Sequence, residues 1–153
     1  MQSVDMTKLK RLDGDFEHVL REIPGARMKM HERIGIAVRN EVSAQINVSG
    51  LDDSRGKIKN WQEHFVGSLG GYAAIRAVRG LGPSGYNDSP GAITNYLENG
   101  HRIRPPGQGK RSRVTHSYVN GYHFYEAARE TADAIAYAEA EKYADEIADM
   151  LEG

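Results

Sequence analysis

The sequence predicts an α+β fold: a small antiparallel sheet packed with helices, the last of them a long C-terminal α-helix. Three observations predict it. Phe124, Ala128, Ala132, Ile135, Ala136, Ala140, Tyr143, Ile147 and Leu151 recur at helical spacing through residues 122–152. A second helical stripe of Met30, Ile34, Ala37, Val38, Val42 and Ile46 runs through residues 26–48. Residues 61–79 hold two runs rich in aromatic and β-branched side chains around Gly67-Ser68-Leu69-Gly70-Gly71, which reads as a strand hairpin. At 153 residues the chain is expected to be a single domain with a sizeable core.

Taken in order, residues 1–25 form an N-terminal helical segment in which Leu9, Leu12, Phe16, Val19 and Leu20 share a face. Ile23-Pro24-Gly25 is expected to end it, because proline lacks the N–H and clashes with the preceding turn. The helix over 26–48 stops at Ser49-Gly50, and the polar stretch 51–60 reads as a loop whose Asp52 and Asp53 cap backbone groups. After the hairpin, Gly80, Gly82, Pro83 and Gly85 mark a long flexible loop. Residues 89–99 read as a short helix: Ser89 is an N-cap, Pro90 suits the first helical position, and Ile93, Tyr96 and Leu97 make its apolar stripe. Asn99-Gly100 ends it, although the same dipeptide is also a hairpin-turn signal. Residues 101–117 form a basic loop, Tyr118 and Val119 a last short strand, and Asn120-Gly121 a turn into the final helix. That helix, about 45 Å long if unbroken, outruns a domain whose radius of gyration should be about 15 Å. Phe124, Ala128, Ala132, Ile135, Tyr143, Ile147 and Leu151 are therefore candidate subunit-interface residues.

Charge is balanced overall, 20 basic residues against 21 acidic, but polarised along the chain. Between Asn99 and Tyr125 there is no acidic residue and five cations, Arg102, Arg104, Lys110, Arg111 and Arg113; from Glu126 to Glu152 there are nine acidic residues. The chain has no cysteine, which excludes disulfides and thiolate chemistry and suits a reducing cytoplasm. No apolar run approaches the roughly 18 residues that span a bilayer, so a membrane partner is not expected.

No catalytic or cofactor signature is present: the Gly67–Gly71 stretch lacks the Lys-Ser/Thr of a phosphate loop, and the six histidines show no metal spacing. His101 and His116 flank the basic loop and would meet only if it folds back. No catalytic, cofactor or metal residue is assigned, and a non-enzymatic role is expected. The five cations of the basic loop have three readings: contacts to phosphates in a DNA channel, with Tyr118 to stack, contacts to an acidic helix of a neighbouring subunit, or a solvated loop.

In the order and spacing of four segments the chain resembles the small tail-component proteins that act at the head–tail junction, or neck, of lambda-like siphophages and their prophages. The first is Asp53-Ser54-Arg55-Gly56-Lys57-Ile58, following a helix; the second is the strand hairpin. The third is Tyr96-Leu97-Glu98-Asn99-Gly100-His101, and the fourth is the basic Pro/Gly loop leading into Gly121-Tyr122-His123-Phe124-Tyr125-Glu126-Ala127-Ala128. The likeness covers residues 34–129. Arg55 interrupts the usual Asp-Thr-Gly run, and Asn99 stands where an aromatic is common. The resemblance implies a structural virion protein, assembled in the host cytoplasm, whose copies form a ring around the DNA channel. Its partners would be itself, a head-closure or connector protein, and a tail-terminator or tail-tube protein. It implies no cofactor and no catalytic residue.

Overall fold

The computed structural model describes residues 6–103 and 117–152. Its elements are α1 (Met6–Val48), a one-turn α2 (Lys57–Asn60), β1 (Gln62–Val66), β2 (Ala73–Ala77), α3 (Pro90–Asn99), β3 (His101–Arg102), β4 (Tyr118–Val119) and α4 (Phe124–Glu152). Short 3-10 turns lie at Ser68–Gly70 and Tyr86–Asp88. The architecture is α+β as expected: β1 and β2 form one two-stranded sheet, β3 and β4 another, and the last helix is long. The Gly67 N–H to Tyr72 carbonyl and Val78 N–H to Trp61 carbonyl bonds bracket β1 and β2 as an antiparallel hairpin. β3 and β4 pair antiparallel with His101 opposite Val119 and Arg102 opposite Tyr118.

The expected break at Ile23-Pro24-Gly25 does not occur. Residues 6–48 are one helix of 43 residues with Pro24 inside it. An internal proline costs roughly 3 kcal/mol through its missing hydrogen bond and ring clash. Val19 and Ala26, one on each side of Pro24, are both buried, and this packing holds the helix together where local propensity would end it.

The chain divides into two compact units. One comprises residues 1–37, 64–74 and 133–153. Within it the Arg33 guanidinium lies 2.6 Å from Glu139 Oε2 and 3.1 Å from Glu146 Oε1, two carboxylates a pair of turns apart on α4. Donating a hydrogen bond to Glu139 raises the Arg33 pKa above its ordinary value, and bonds accepted from Lys142 and then Arg33 hold the Glu139 carboxyl below the usual carboxylate range. Arg27 donates from Nε and Nη2 to the Leu69 carbonyl, and His64 Nε2 lies 2.6 Å from Glu32 Oε1. Together these tie the hairpin end to α1.

The other unit, residues 38–63 and 75–132, contains the hydrophobic core: Val42, Ile46, Ile58, Phe124 and Ala128, with Leu51, Trp61, Ile75, Ile93, Leu97 and Tyr125 packed around them. Phe124 and Ala128, expected at a subunit interface, are fully buried here in the chain's own core. They close that core because α4 starts directly against α1 and α2 rather than standing free. Farther along the same stripe Ala132, Ile135, Tyr143 and Ile147 are half-buried and Leu151 is exposed.

Two stretches expected as loops carry ordered structure. Asp53 accepts from the Ile58 and Lys59 N–H groups at 2.9 and 3.0 Å, and Asp52 accepts from the Ser54 N–H, so both aspartates cap as expected. The Asp53 bonds nucleate α2 and drop Ile58 into the core. In residues 80–89, Gly82 and Gly85 exchange both backbone hydrogen bonds at 3.0 Å, and Asp88 accepts from the Ser84 N–H, giving a tight turn. No helix among the described residues is long and apolar enough to cross a membrane.

Candidate functional site

The basic segment is held at its base by a junction between α3 and α4. α3 begins as its sequence indicates: Ser89 Oγ accepts from the Ala92 N–H at 3.2 Å, and Pro90 opens the first turn. It ends at Gly100, whose φ of 74° is open to glycine at little cost. The buried face of α3 differs from the apolar stripe. Ile93 and Leu97 reach the core, Tyr96 is exposed, and the polar Thr94 and Glu98 are buried.

Glu98, only 8% exposed, explains the junction. Its Oε2 accepts from the Tyr125 N–H at 2.9 Å and its Oε1 from the Glu126 N–H at 3.0 Å. These are the second and third residues of α4, whose N–H groups lack partners within the helix. The residue at the N-cap of α4 is His123, with φ 53° and no side-chain oxygen; its Nδ1 lies 3.1 Å from Glu126 Oε2. Glu98 thus supplies from α3 the cap that α4 cannot supply itself, and its negative charge sits at the positive end of the helix dipole.

The junction is reciprocal. The Tyr122 N–H donates to the Leu97 carbonyl at 2.7 Å, His123 N–H to the Glu98 carbonyl at 3.2 Å, and Tyr118 OH to the Asn99 carbonyl at 2.8 Å. The last three carbonyls of α3 are therefore satisfied, two by the chain entering α4 and one by Tyr118 of β4. α4 starts at Phe124 and not at residue 122 because His123, with φ 53°, lies outside the right-handed helical region.

Gln62 completes the arrangement below. Fully buried, it donates from Nε2 to the Ile58 carbonyl and accepts the Tyr125 hydroxyl at Oε1, while its own carbonyl accepts from Arg39 Nε at 2.7 Å. Burial first, and then the charge of Glu98, push the Tyr125 hydroxyl up to about 12 from 10. A phenol held neutral in this way contributes stability that is complete below pH 10 and is lost as pH rises through about 12. The thermal midpoint of the native chain should therefore fall across that window more steeply than that of Tyr125→Phe; parallel curves for the two chains would contradict it.

Above the junction, β3 and β4 form a ribbon closed by the Ile103 N–H to Ser117 carbonyl bond at 3.0 Å. A cleft beside it is lined by Tyr96, His101, Arg102 and Tyr118, with the Tyr96 and His101 rings 5.4 Å apart. Of the five candidate cations, Arg102 is exposed on β3. Arg104, Lys110, Arg111 and Arg113 lie outside the described residues, as does His116. Among the described residues no three His, Cys, Asp or Glu side chains gather as a metal site would require. Glu98 and Gln62 were missed as structural determinants. The one available signal was a Glu beside the Asn-Gly helix stop, which does not say whose backbone the carboxylate will reach.

No protein-family model, curated protein or solved structure matches this chain.

Proposed function

We propose that the chain is a structural assembly protein of a tailed phage or prophage, joining head to tail as a neck or tail-completion component in an oligomeric ring around the DNA channel. One observation carries the reading. Ile58, Trp61, Leu97 and Phe124, from the four segments that bear the resemblance, meet in a single core. Those segments are thus parts of one device, in which a capped helix junction supports a ribbon leading into the basic segment.

Mass measurement in solution, for the chain alone and mixed with head-closure and tail-tube proteins, tests this. A ring or a mixed complex is expected; a strict monomer that ignores both partners would sink the proposal.

A second reading, a small nucleic-acid-binding or regulatory module, is favoured by the exposed Arg102 at the mouth of the ribbon. If Arg102, Arg104, Lys110, Arg111 and Arg113 each meet one phosphate, binding to duplex DNA should weaken with salt at a log–log slope of about −4 to −5. Replacing all five by Ala should abolish it. Absence of binding by the native chain at low salt removes this reading.

A further inference from the structure

We propose that the first part of α1, residues 6–20, docks antiparallel on the same segment of a second copy of this chain. Leu9, Leu12, Phe16, Val19, Ile23, Ala26 and Met30 follow one another at alternating steps of three and four, the spacing of a coiled-coil seam. The C-terminal part of the seam is covered: Val19 and Ala26 are 4% and 5% exposed. The N-terminal part is open: Met6, Leu9, Leu12 and Phe16 remain 48–55% exposed, and the last three line a shallow groove together with Lys10 and Asp13.

α4 cannot close it. Within its unit α4 meets α1 at Arg33 through Glu139 and Glu146, and its last residue, Glu152, is about 9 Å of helix beyond Glu146. Phe16 is about 26 Å along α1 from Arg33, and Leu9 farther still.

Charge selects the occupant. The open segment carries Lys8, Lys10 and Arg11 before Leu12, and Asp13, Asp15 and Glu17 after it. Lys8, Lys10, Arg11, Asp13 and Glu17 are exposed and Asp15 is half-buried, and none of the six joins an ion pair among the described residues. Antiparallel self-docking centred on Leu12 sets each basic triplet against the acidic triplet of the other copy, on both sides of the two-fold axis. A parallel arrangement would set like against like. The apolar area is small, so the contact belongs with weak interfaces of under about 1,200 Å² in total, and salt should loosen it. An isologous contact closes on itself as a pair; it is separate from ring formation and does not rest on it.

Sedimentation of the full-length chain at high protein concentration and low salt is the test. The native chain should show an associating species of about twice the monomer mass. Two charge-reversed chains, Lys8→Glu/Lys10→Glu/Arg11→Glu and Asp13→Lys/Asp15→Lys/Glu17→Lys, should each lose it, and an equimolar mixture of them should regain it as a mixed pair. Leu12→Asp, at the centre of the groove, should be monomeric with unchanged helical circular dichroism. A native chain that stays monomeric overturns the proposal. So does self-association that survives all three variants, or a mixture that fails to recombine. A larger oligomer indifferent to these charges also overturns it, while leaving ring assembly through another surface standing.

Discussion

Gly121→Ala is expected to destabilise the unit holding the core by about 3 kcal/mol or more, enough to leave a marginal domain largely unfolded at moderate temperature. A Cβ at this position would lie 2.1 Å from the Glu98 carbonyl oxygen and 2.8 Å from the Asn99 carbonyl carbon, both backbone atoms that no rotamer change can move aside. To admit it, the chain entering α4 must lift off the end of α3. That breaks the bonds from the Tyr122 and His123 N–H groups and carries the Tyr125 and Glu126 N–H groups away from the Glu98 carboxylate. Gly100→Ala meets the facing surface, with Val119 O 2.4 Å away and φ at 74°, so it should be comparably damaging. Gly91→Ala is the control, because nothing lies within 4 Å of its Cβ position; within α3 it should be neutral or stabilising by up to about 1 kcal/mol. Urea denaturation followed by the single tryptophan, Trp61, which packs beside the core, reads all three. A native midpoint for Gly121→Ala would mean that the two helix ends are not pressed together as described.

The features legible in the sequence were those fixed by neighbours along the chain. Ser89, Pro90 and Gly100 define α3 because a cap, a first-turn proline and a positive φ are each local requirements. Asp53 was legible as a cap for the same reason, and the Gly67–Gly71 stretch marked the hairpin. What could not be read depends on residues far apart in sequence. Pro24 remains inside α1 because Val19 and Ala26 are buried together, a tertiary gain that no local rule weighs. The stripe of α4 looked uniform, yet Phe124 and Ala128 serve the core while Leu151 stays exposed, because different neighbours meet successive turns. The apolar stripe of α3, Ile93, Tyr96 and Leu97, did not reveal that Tyr96 is exposed while Thr94 and Glu98 are buried. Of the basic segment the sequence supplied all five cations and the structure describes Arg102; the ribbon that carries it follows from the pairing of His101 and Arg102 with Val119 and Tyr118.

Glu98 should be the most sensitive side chain at the junction, and two substitutions separate its charge from its shape. Glu98→Ala leaves the Tyr125 and Glu126 N–H groups facing a buried space without their acceptor. Hydrogen bonds to a charged group contribute about 1.5–3 kcal/mol each, but water reaching the vacated site would recover part of that, so a net loss of about 3 kcal/mol is expected. Glu98→Gln keeps the volume and one acceptor, while its NH2 group meets a donor it cannot bond. It also removes the charge at the helix end, worth up to about 1 kcal/mol, so its loss should fall between the native chain and Glu98→Ala. Local hydrogen exchange distinguishes a missing cap from a general loosening: the Tyr125 and Glu126 amides should exchange faster in Glu98→Gln, while the amides of Val42 and Ile46 in α1 keep their protection. The neighbouring phenol gives an independent readout. The Glu98 charge is the second cause of the upward shift at Tyr125, so neutralising it should bring that hydroxyl from about 12 part of the way back towards 10, visible in the ultraviolet absorbance of the phenolate. If exchange at Tyr125 and Glu126 stays as slow in Glu98→Gln as in the native chain, the charge is dispensable and shape alone holds α3 to α4. If the phenol also fails to move, the carboxylate does not sit where it can act on either group.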